Sequence, residues 1–232
     1  MGLFRIKHNN FEEIFDFNGF DTEHANEWED PSRLEEAAWK QRYDYEAAII
    51  SEILTDNPEI KNVLELGSGP GELSQRILAN HSDLTYHLVD KPYAKKYFEE
   101  KGYKGQFFVK DLSQSFDTSG LLSKYDFVIA NDLIEHVYNP HIILKTVYEL
   151  THEKSIFFIS NPNWRMAHQY VYRGLFDFDN FVYLLYTHMF NLEGFYGSFL
   201  KTSSYLRLDS ESLLPEESLT DWNHYMLFKH RK

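Results

Sequence analysis

Apolar positions along the chain change their spacing in a regular order. From Pro31 onward, Leu34, Ala37, Ala38, Tyr45, Ala48 and Ile49 recur at helical intervals, which predicts a helix over about residues 31–55. Asp30 or Ser32 is placed to cap its start, and Asn57-Pro58 ends it, because the residue before a proline is biased away from helical geometry. A short apolar run follows, Val63, Leu64 and Leu66, as a parallel strand buried on both faces requires. Strand and helix patterns then alternate as far as residues 155–162, and residues 224–229 read as a last strand. That alternation predicts an α/β architecture, a parallel sheet with helices on both faces and the 31–55 helix packed beside the first strand. Residues 1–30, rich in Phe, Asn, Asp and Glu without a clear period, are expected to form a cap or a partly ordered arm. There is no internal repeat and no low-complexity linker.

The first strand runs into Gly67-Ser68-Gly69-Pro70-Gly71-Glu72. Glycines without a Cβ permit left-handed backbone and close approach of a ligand, and a helix starting near Gly71 aims unpaired N–H groups at that ligand. Spacing separates two cofactor classes. Dinucleotide sites use G-x-G-x-x-G, but here the third glycine comes one residue early and Glu72 takes its place, where a carboxylate would repel a pyrophosphate. Glu65 on the strand suits a cationic ligand, an amino-acid ammonium or a sulfonium. S-adenosylmethionine carries both.

With this E-x-G-x-G-x-G segment the chain resembles the class I S-adenosylmethionine-dependent methyltransferases. The resemblance extends over about residues 60–165. It implies a second strand over 84–90 whose Asp90, followed by Lys91, accepts hydrogen bonds from both ribose hydroxyls. It further implies an adenine-side segment in which Asp111 takes the exocyclic amine and Leu112 packs on the ring, and a fourth strand ending at Asn131. Taken singly, Asp90 also reads as a helix cap before Pro92, and Asp111 as a turn residue. The implied fold is a three-layer Rossmann-like one, with a mostly parallel seven-stranded sheet and an antiparallel edge strand. On this reading residues 1–56 form the arm and cap helix, and 57–232 the cofactor-binding methyltransferase domain. An aromatic lid inserts over about 163–200, within one structural domain.

Composition narrows the acceptor. A chain of 232 residues suits one domain, burying about 70% of the surface of its unfolded form. A formal net charge of −13 disfavours nucleic-acid substrates, since phosphate binding needs clustered Lys and Arg. With no cysteine, disulfides, thiolate metal sites and cysteine nucleophiles are excluded. No apolar run approaches a membrane helix, and Glu12, Glu13 and Asp16 do not fit a signal peptide, so a cytoplasmic location is expected. A small-molecule partner is expected, without nucleic acid or membrane.

Methyl transfer from a sulfonium requires an aligned acceptor, exclusion of water and removal of a proton where the nucleophile is a hydroxyl. His136, in the loop after strand four, is the first candidate base, and its alternative is a cap for the next helix. Asp132, Glu135 and His136 match the positions with which some quinone-pathway O-methyltransferases hold a divalent ion, with Asp where those enzymes have Glu. The plainer reading, in which Asp132 caps the loop and Glu135 is solvated, is preferred and no metal is expected. Beyond strand five, Asn161, Asn163, Trp164 and Arg165 are expected to meet the substrate, because open α/β sheets bind ligands past the carboxyl ends of their strands. Arg165 and Arg173 suit an acidic acceptor or pair with Asp177 or Asp179. The aromatic stretch to Phe199 reads as a lid or as core. His188, in a stretch resembling one found in many small-molecule methyltransferases, is the second candidate base. The expected reaction is methylation of oxygen, with nitrogen next, on a sugar, a nucleotide-linked sugar or a related surface-polymer precursor. A metal-dependent phenol O-methyltransferase and a non-catalytic cofactor-binding partner protein are the competing readings.

Overall fold

The computed structural model describes residues 37–112, 116–137, 139–162, 178–196, 207–209 and 223–231. Helix α1 (Ala37–Asp56) leads into β1 (Asn62–Leu66), α2 (Glu72–Asn80), β2 (Thr85–Asp90), α3 (Pro92–Glu100), β3 (Gln106–Val109) and β4 (Tyr125–Asn131). A short 3-10 turn (Ile134–His136) precedes α4 (Pro140–Leu150), β5 (Thr151–Pro162), α5 (Phe178–Thr187), β6 (Phe190–Tyr196), β7 (Arg207–Asp209) and β8 (Asn223–His230).

The strands form one sheet in the order β3-β2-β1-β4-β5-β8-β6-β7. The first five are mutually parallel, with Leu64 opposite His87 on one side and Val128 on the other. Side chains alternate between the two faces. On one, Leu64, Leu66, Val128, Ala130, Phe157 and Phe228 pack under Ile143, Leu144 and Val147 of α4 and Phe181 and Leu185 of α5. On the other, Val63, Phe127, Ile129 and Phe158 pack under Ile49, Ile50 and Ile53 of α1 and Leu73 and Ile77 of α2. This two-residue period is what separates the layers, and each fully buried Leu, Ile or Phe contributes roughly 1.5–3 kcal/mol.

One particular differs from the sequence reading. The last strand runs antiparallel to β5, as expected, but it lies two places in from the edge of the sheet, with β6 antiparallel beyond it and the three-residue β7 as the edge. An eighth strand thus joins the expected seven. The aromatic stretch over 163–200 admits two readings, lid or core. Its described part is helix and sheet, α5 and β6, with Phe181 and Phe190 in the core. Aromatic residues suit a buried strand as well as a pocket wall, so composition alone did not separate the two. Residues 163–177, and the arm over 1–36, lie outside the described residues. Among the described residues no helix is long and apolar enough to cross a membrane.

Candidate active site

The carboxyl ends of β1, β2 and β4 converge where the glycine turn leaves the sheet. Gly67 has φ +67°, and a Cβ there would lie 3.0 Å from the Leu133 side chain. Gly71, at φ +90°, caps the start of α2, and a Cβ on it would meet Phe98 at 2.8 Å. The turn is fastened to β2 by hydrogen bonds from the Gly67 and Ser68 N–H groups to the Val89 carbonyl, at 2.9 and 3.3 Å. Asp90 then accepts from the Gly69 N–H and the Lys91 N–H, each at 2.6 Å. Burial raises the Asp90 carboxyl above its ordinary range, while the Lys91 and Gly69 N–H groups and the Lys91 charge oppose that rise. One carboxylate thus spans the glycine turn and the end of β2. The Lys110 N–H donates to the Asp90 carbonyl at 3.0 Å, which sets the segment carrying exposed Asp111 and buried Leu112 beside the same strand end.

Glu65 is buried on the α1 side of β1 and accepts a hydrogen bond from the Tyr86 hydroxyl at 2.8 Å. Burial pushes its carboxyl up to about 8, the Tyr86 hydrogen bond opposing and the Glu46 and Asp90 charges adding to the rise. A cationic group brought against it reverses that shift and ionises it, so the position is responsive to a sulfonium or ammonium ligand.

At the end of β4, Asn131 has both its amide nitrogen and its amide oxygen buried with no hydrogen-bond partner among the described residues. Glu135, expected to be solvated, is instead fully buried in the loop after β4, and among the described residues neither carboxyl oxygen has a hydrogen-bond partner beyond its own backbone N–H. Burial raises its carboxyl well above the ordinary range, Asp132 adding to this and Arg42 opposing it. His136, a quarter exposed, places Nε2 3.8 Å from the Glu135 carboxyl. Polar atoms left unmet inside a protein cost about 1–3 kcal/mol each. Here they gather at one strand end, beside the glycine turn, and fit the polar end of a bound cofactor or its acceptor.

A second polar chain holds this loop in place. Asp132 has φ +46°, unusual for a residue other than glycine. Its N–H meets the Ser160 carbonyl and hydroxyl oxygens at 3.2 Å, and its carboxylate accepts from the Ser160 hydroxyl at 2.8 Å. The other carboxylate oxygen is 2.5 Å from the Arg42 guanidinium of α1. Arg42 also pairs with Glu46 at 2.8 Å, and Glu46 accepts from Tyr225 of β8 at 2.9 Å. Burial works against the Arg42 charge, but Asp132 and Glu46 outweigh it and raise its pKa. Sequence reasoning missed Arg42, Glu46, Ser160 and Tyr225. The legible signal was an Arg and a Glu four apart on the stripe of α1 that continues into Ile49, Ile50 and Ile53.

The structure thus brings together Glu65, Gly67, Ser68, Gly69, Gly71, Asp90, Lys91, Leu112, Asn131 and His136, with Asp111 at the margin. Asn161 is the penultimate residue of β5, where its backbone is in register with His224. Asn163, Trp164 and Arg165 lie outside the described residues. His188 is not part of this cluster. It precedes Phe190, which pairs with His230 at the end of β8 remote from the carboxyl end of β5, and its ring is held against His141. As for the possible metal triad, the Asp132 carboxylate is engaged by Arg42 and Ser160. Among the described residues no group of three His, Cys, Asp or Glu is placed to hold a metal ion.

Comparison with known proteins gives a consistent result. Solved structures similar in fold include an S-adenosylmethionine-dependent methyltransferase from Clostridium acetobutylicum, at 12% identity and TM-score 0.60, covering 91% of this chain and 99% of that one. The plantazolicin methyltransferase BamL, solved with a triazolic desmethylPZN analog and SAH, is 14% identical with TM-score 0.63, covering 90% and 95%. Magnesium protoporphyrin IX methyltransferase from Synechocystis, solved with bound SAM, is 15% identical with TM-score 0.57, covering 85% and 86%. At such identities the likeness is one of fold. No curated protein sequence matches the chain. The model of the family described as "Methyltransferase domain" matches residues 38–230, which takes in α1, the glycine turn and every strand. The chain therefore belongs to the methyltransferase-domain family and is an enzyme that takes its methyl group from S-adenosylmethionine.

Proposed function

We propose that the enzyme methylates a small-molecule acceptor, at oxygen before nitrogen, and that the acceptor is a sugar, a nucleotide-linked sugar or a related surface-polymer precursor. The observation that carries the reading is the set of buried polar atoms on Asn131 and Glu135 at the end of β4, beside the glycine turn, unmet among the described residues. Buried amide and carboxyl groups without partners call for a polar ligand group. A net charge of −13 argues against a nucleic-acid acceptor, and the neighbours named for plantazolicin and magnesium protoporphyrin IX show the fold in the company of small molecules.

Bound S-adenosylmethionine supplies a methyl group already activated on a sulfonium. In this reading Asp90 and the glycine turn seat the nucleoside, Glu65 answers the positive charge, and Leu112 with Asp111 takes the base. His136 accepts the acceptor's proton, with the buried Glu135 carboxyl 3.8 Å from its Nε2. Asn161, Asn163, Trp164 and Arg165 orient the acceptor.

The test is a panel of sugars, nucleotide sugars, phenols and amines, scored by S-adenosylhomocysteine release. Stimulation by a sugar-class acceptor, retained in excess chelator and lost in His136→Ala without loss of cofactor affinity, supports the proposal. Turnover only on phenols and only with added Mg²⁺ would replace it with the quinone-type reading. Cofactor binding that no acceptor converts to turnover would favour a non-catalytic partner protein.

A further inference from the structure

His141 and His188 take no part in the cluster described above. His141 is the second residue of α4, and His188 lies in the turn between α5 and β6. Their rings meet on an exposed part of that layer, with His141 Nδ1 3.0 Å from His188 Nε2. The remaining nitrogen of His188 settles its tautomer. It lies 2.8 Å from the Leu184 carbonyl oxygen, which only accepts, so Nδ1 carries the hydrogen and Nε2 presents its lone pair to His141. The Thr187 hydroxyl, 3.3 Å from the same Nδ1, also donates to the Leu184 carbonyl.

A ring whose far N–H is given to a backbone carbonyl is the arrangement that metal-ligating histidines adopt. The hydrogen bond fixes the ring and raises the basicity of the nitrogen that binds. Separation agrees with this chemistry. Two nitrogens on one first-row ion at about 2.0–2.1 Å stand about 2.9 Å apart in cis square or octahedral positions, and about 3.4 Å apart at the tetrahedral angle. The observed 3.0 Å matches the first arrangement and is a few tenths of an ångström short of the second. The rings are tilted by 39° with centroids 4.8 Å apart, so the two nitrogens lead the contact. His141 is exposed, and its hydrogen moves to Nε2 in water when Nδ1 binds a metal.

We propose that His141 and His188 form a two-histidine site for a borderline divalent transition-metal ion, Ni²⁺ or Cu²⁺ in the closest geometric fit and Zn²⁺ after a small opening. Among the described residues no third His, Cys, Asp or Glu completes the site. Water fills the other positions, and the ion is exchangeable and open to chelators. Such an ion ties the first turn of α4, which follows the loop carrying Asn131 to His136, to the end of α5. The site is independent of the acceptor and of the catalytic reading.

The experiment titrates the untagged full chain with Ni²⁺ by calorimetry, beside His141→Ala and His188→Ala. The parent binds one equivalent, and each substitution weakens binding by more than about tenfold. Ni²⁺ at about a hundred times its Kd raises the parent Tm by about 5 °C or more, and neither variant shows the rise. Metal-free Tm and S-adenosylhomocysteine affinity stay at parent values, so a lost fold does not imitate a lost ligand. Equal Ni²⁺ affinity in parent and both variants would place the ion elsewhere and overturn the proposal, as would a parent that binds none.

Discussion

Replacing Arg42 by methionine removes the guanidinium while keeping most of the apolar stem. Glu46, 1% exposed, then loses its 2.8 Å partner while the Tyr225 hydroxyl remains, and Asp132 loses the guanidinium while the Ser160 hydroxyl remains. Removing one member of a buried ion pair costs about 3–5 kcal/mol, because the other charge remains in a medium that does not solvate it. Arg42 and Asp132 retain side-chain exposures of 19% and 17%, so water relieves part of this penalty and the lower end, about 3 kcal/mol, is expected. The left-handed Asp132 also loses the contact that opposes its backbone strain, so the loop from Asn131 to His136 loosens. Equilibrium urea unfolding measures the cost. The double variant Arg42→Met with Glu46→Gln should recover about half of it, since the stranded carboxylate is gone. A loss below about 1 kcal/mol for Arg42→Met, with no recovery in the double variant, would mean that the pair is solvated like a surface bridge, and the clamp argument would fail.

Three further outcomes follow from the same geometry. Asp90→Ala removes the carboxylate that spans the glycine turn and should weaken S-adenosylhomocysteine binding by about 1.5–3 kcal/mol, roughly 10- to 150-fold by calorimetry. Gly71→Ala puts a Cβ 2.8 Å from Phe98 at φ +90°, and should cost about 2–3 kcal/mol, seen as a Tm lower by roughly 5–10 °C. Burial holds the Glu65 carboxyl up to about 8, so the stability it allows is complete below its unfolded value near 4.5 and is lost as pH rises towards 8. Glu65→Gln should therefore gain on the ligand-free parent between pH 5 and pH 8 in urea midpoints, and an unchanged difference across that range would contradict the burial argument.

The parallel half of the sheet was legible because its signals are local. Val63 to Leu66 with the glycine turn, the strand ending at Asp90 and the strand ending at Asn131 each carry their pattern within a dozen residues. The antiparallel half was harder. Phe190 to Tyr196 forms a strand whose partner, β8, begins at Asn223, and nothing in the local spacing distinguishes it from a lid helix or a pocket wall. The Arg42 to Asp132 contact joins residues ninety apart in sequence, Ser160 lies 28 residues from Asp132, and Tyr225 lies 179 from Glu46. His188 illustrates the same limit from the other side. Its neighbours in sequence resemble a substrate-site stretch, yet the turn after α5 directs it to His141.

The glycine turn at Gly67–Gly71 is the proposed seat of the methyl donor. Calorimetric titration of the full chain with S-adenosylhomocysteine and, separately, with a nicotinamide dinucleotide tests it. One saturable site for S-adenosylhomocysteine, weakened in Asp90→Ala, together with no measurable dinucleotide binding, is the predicted result. Tight dinucleotide binding with no heat from S-adenosylhomocysteine would contradict it.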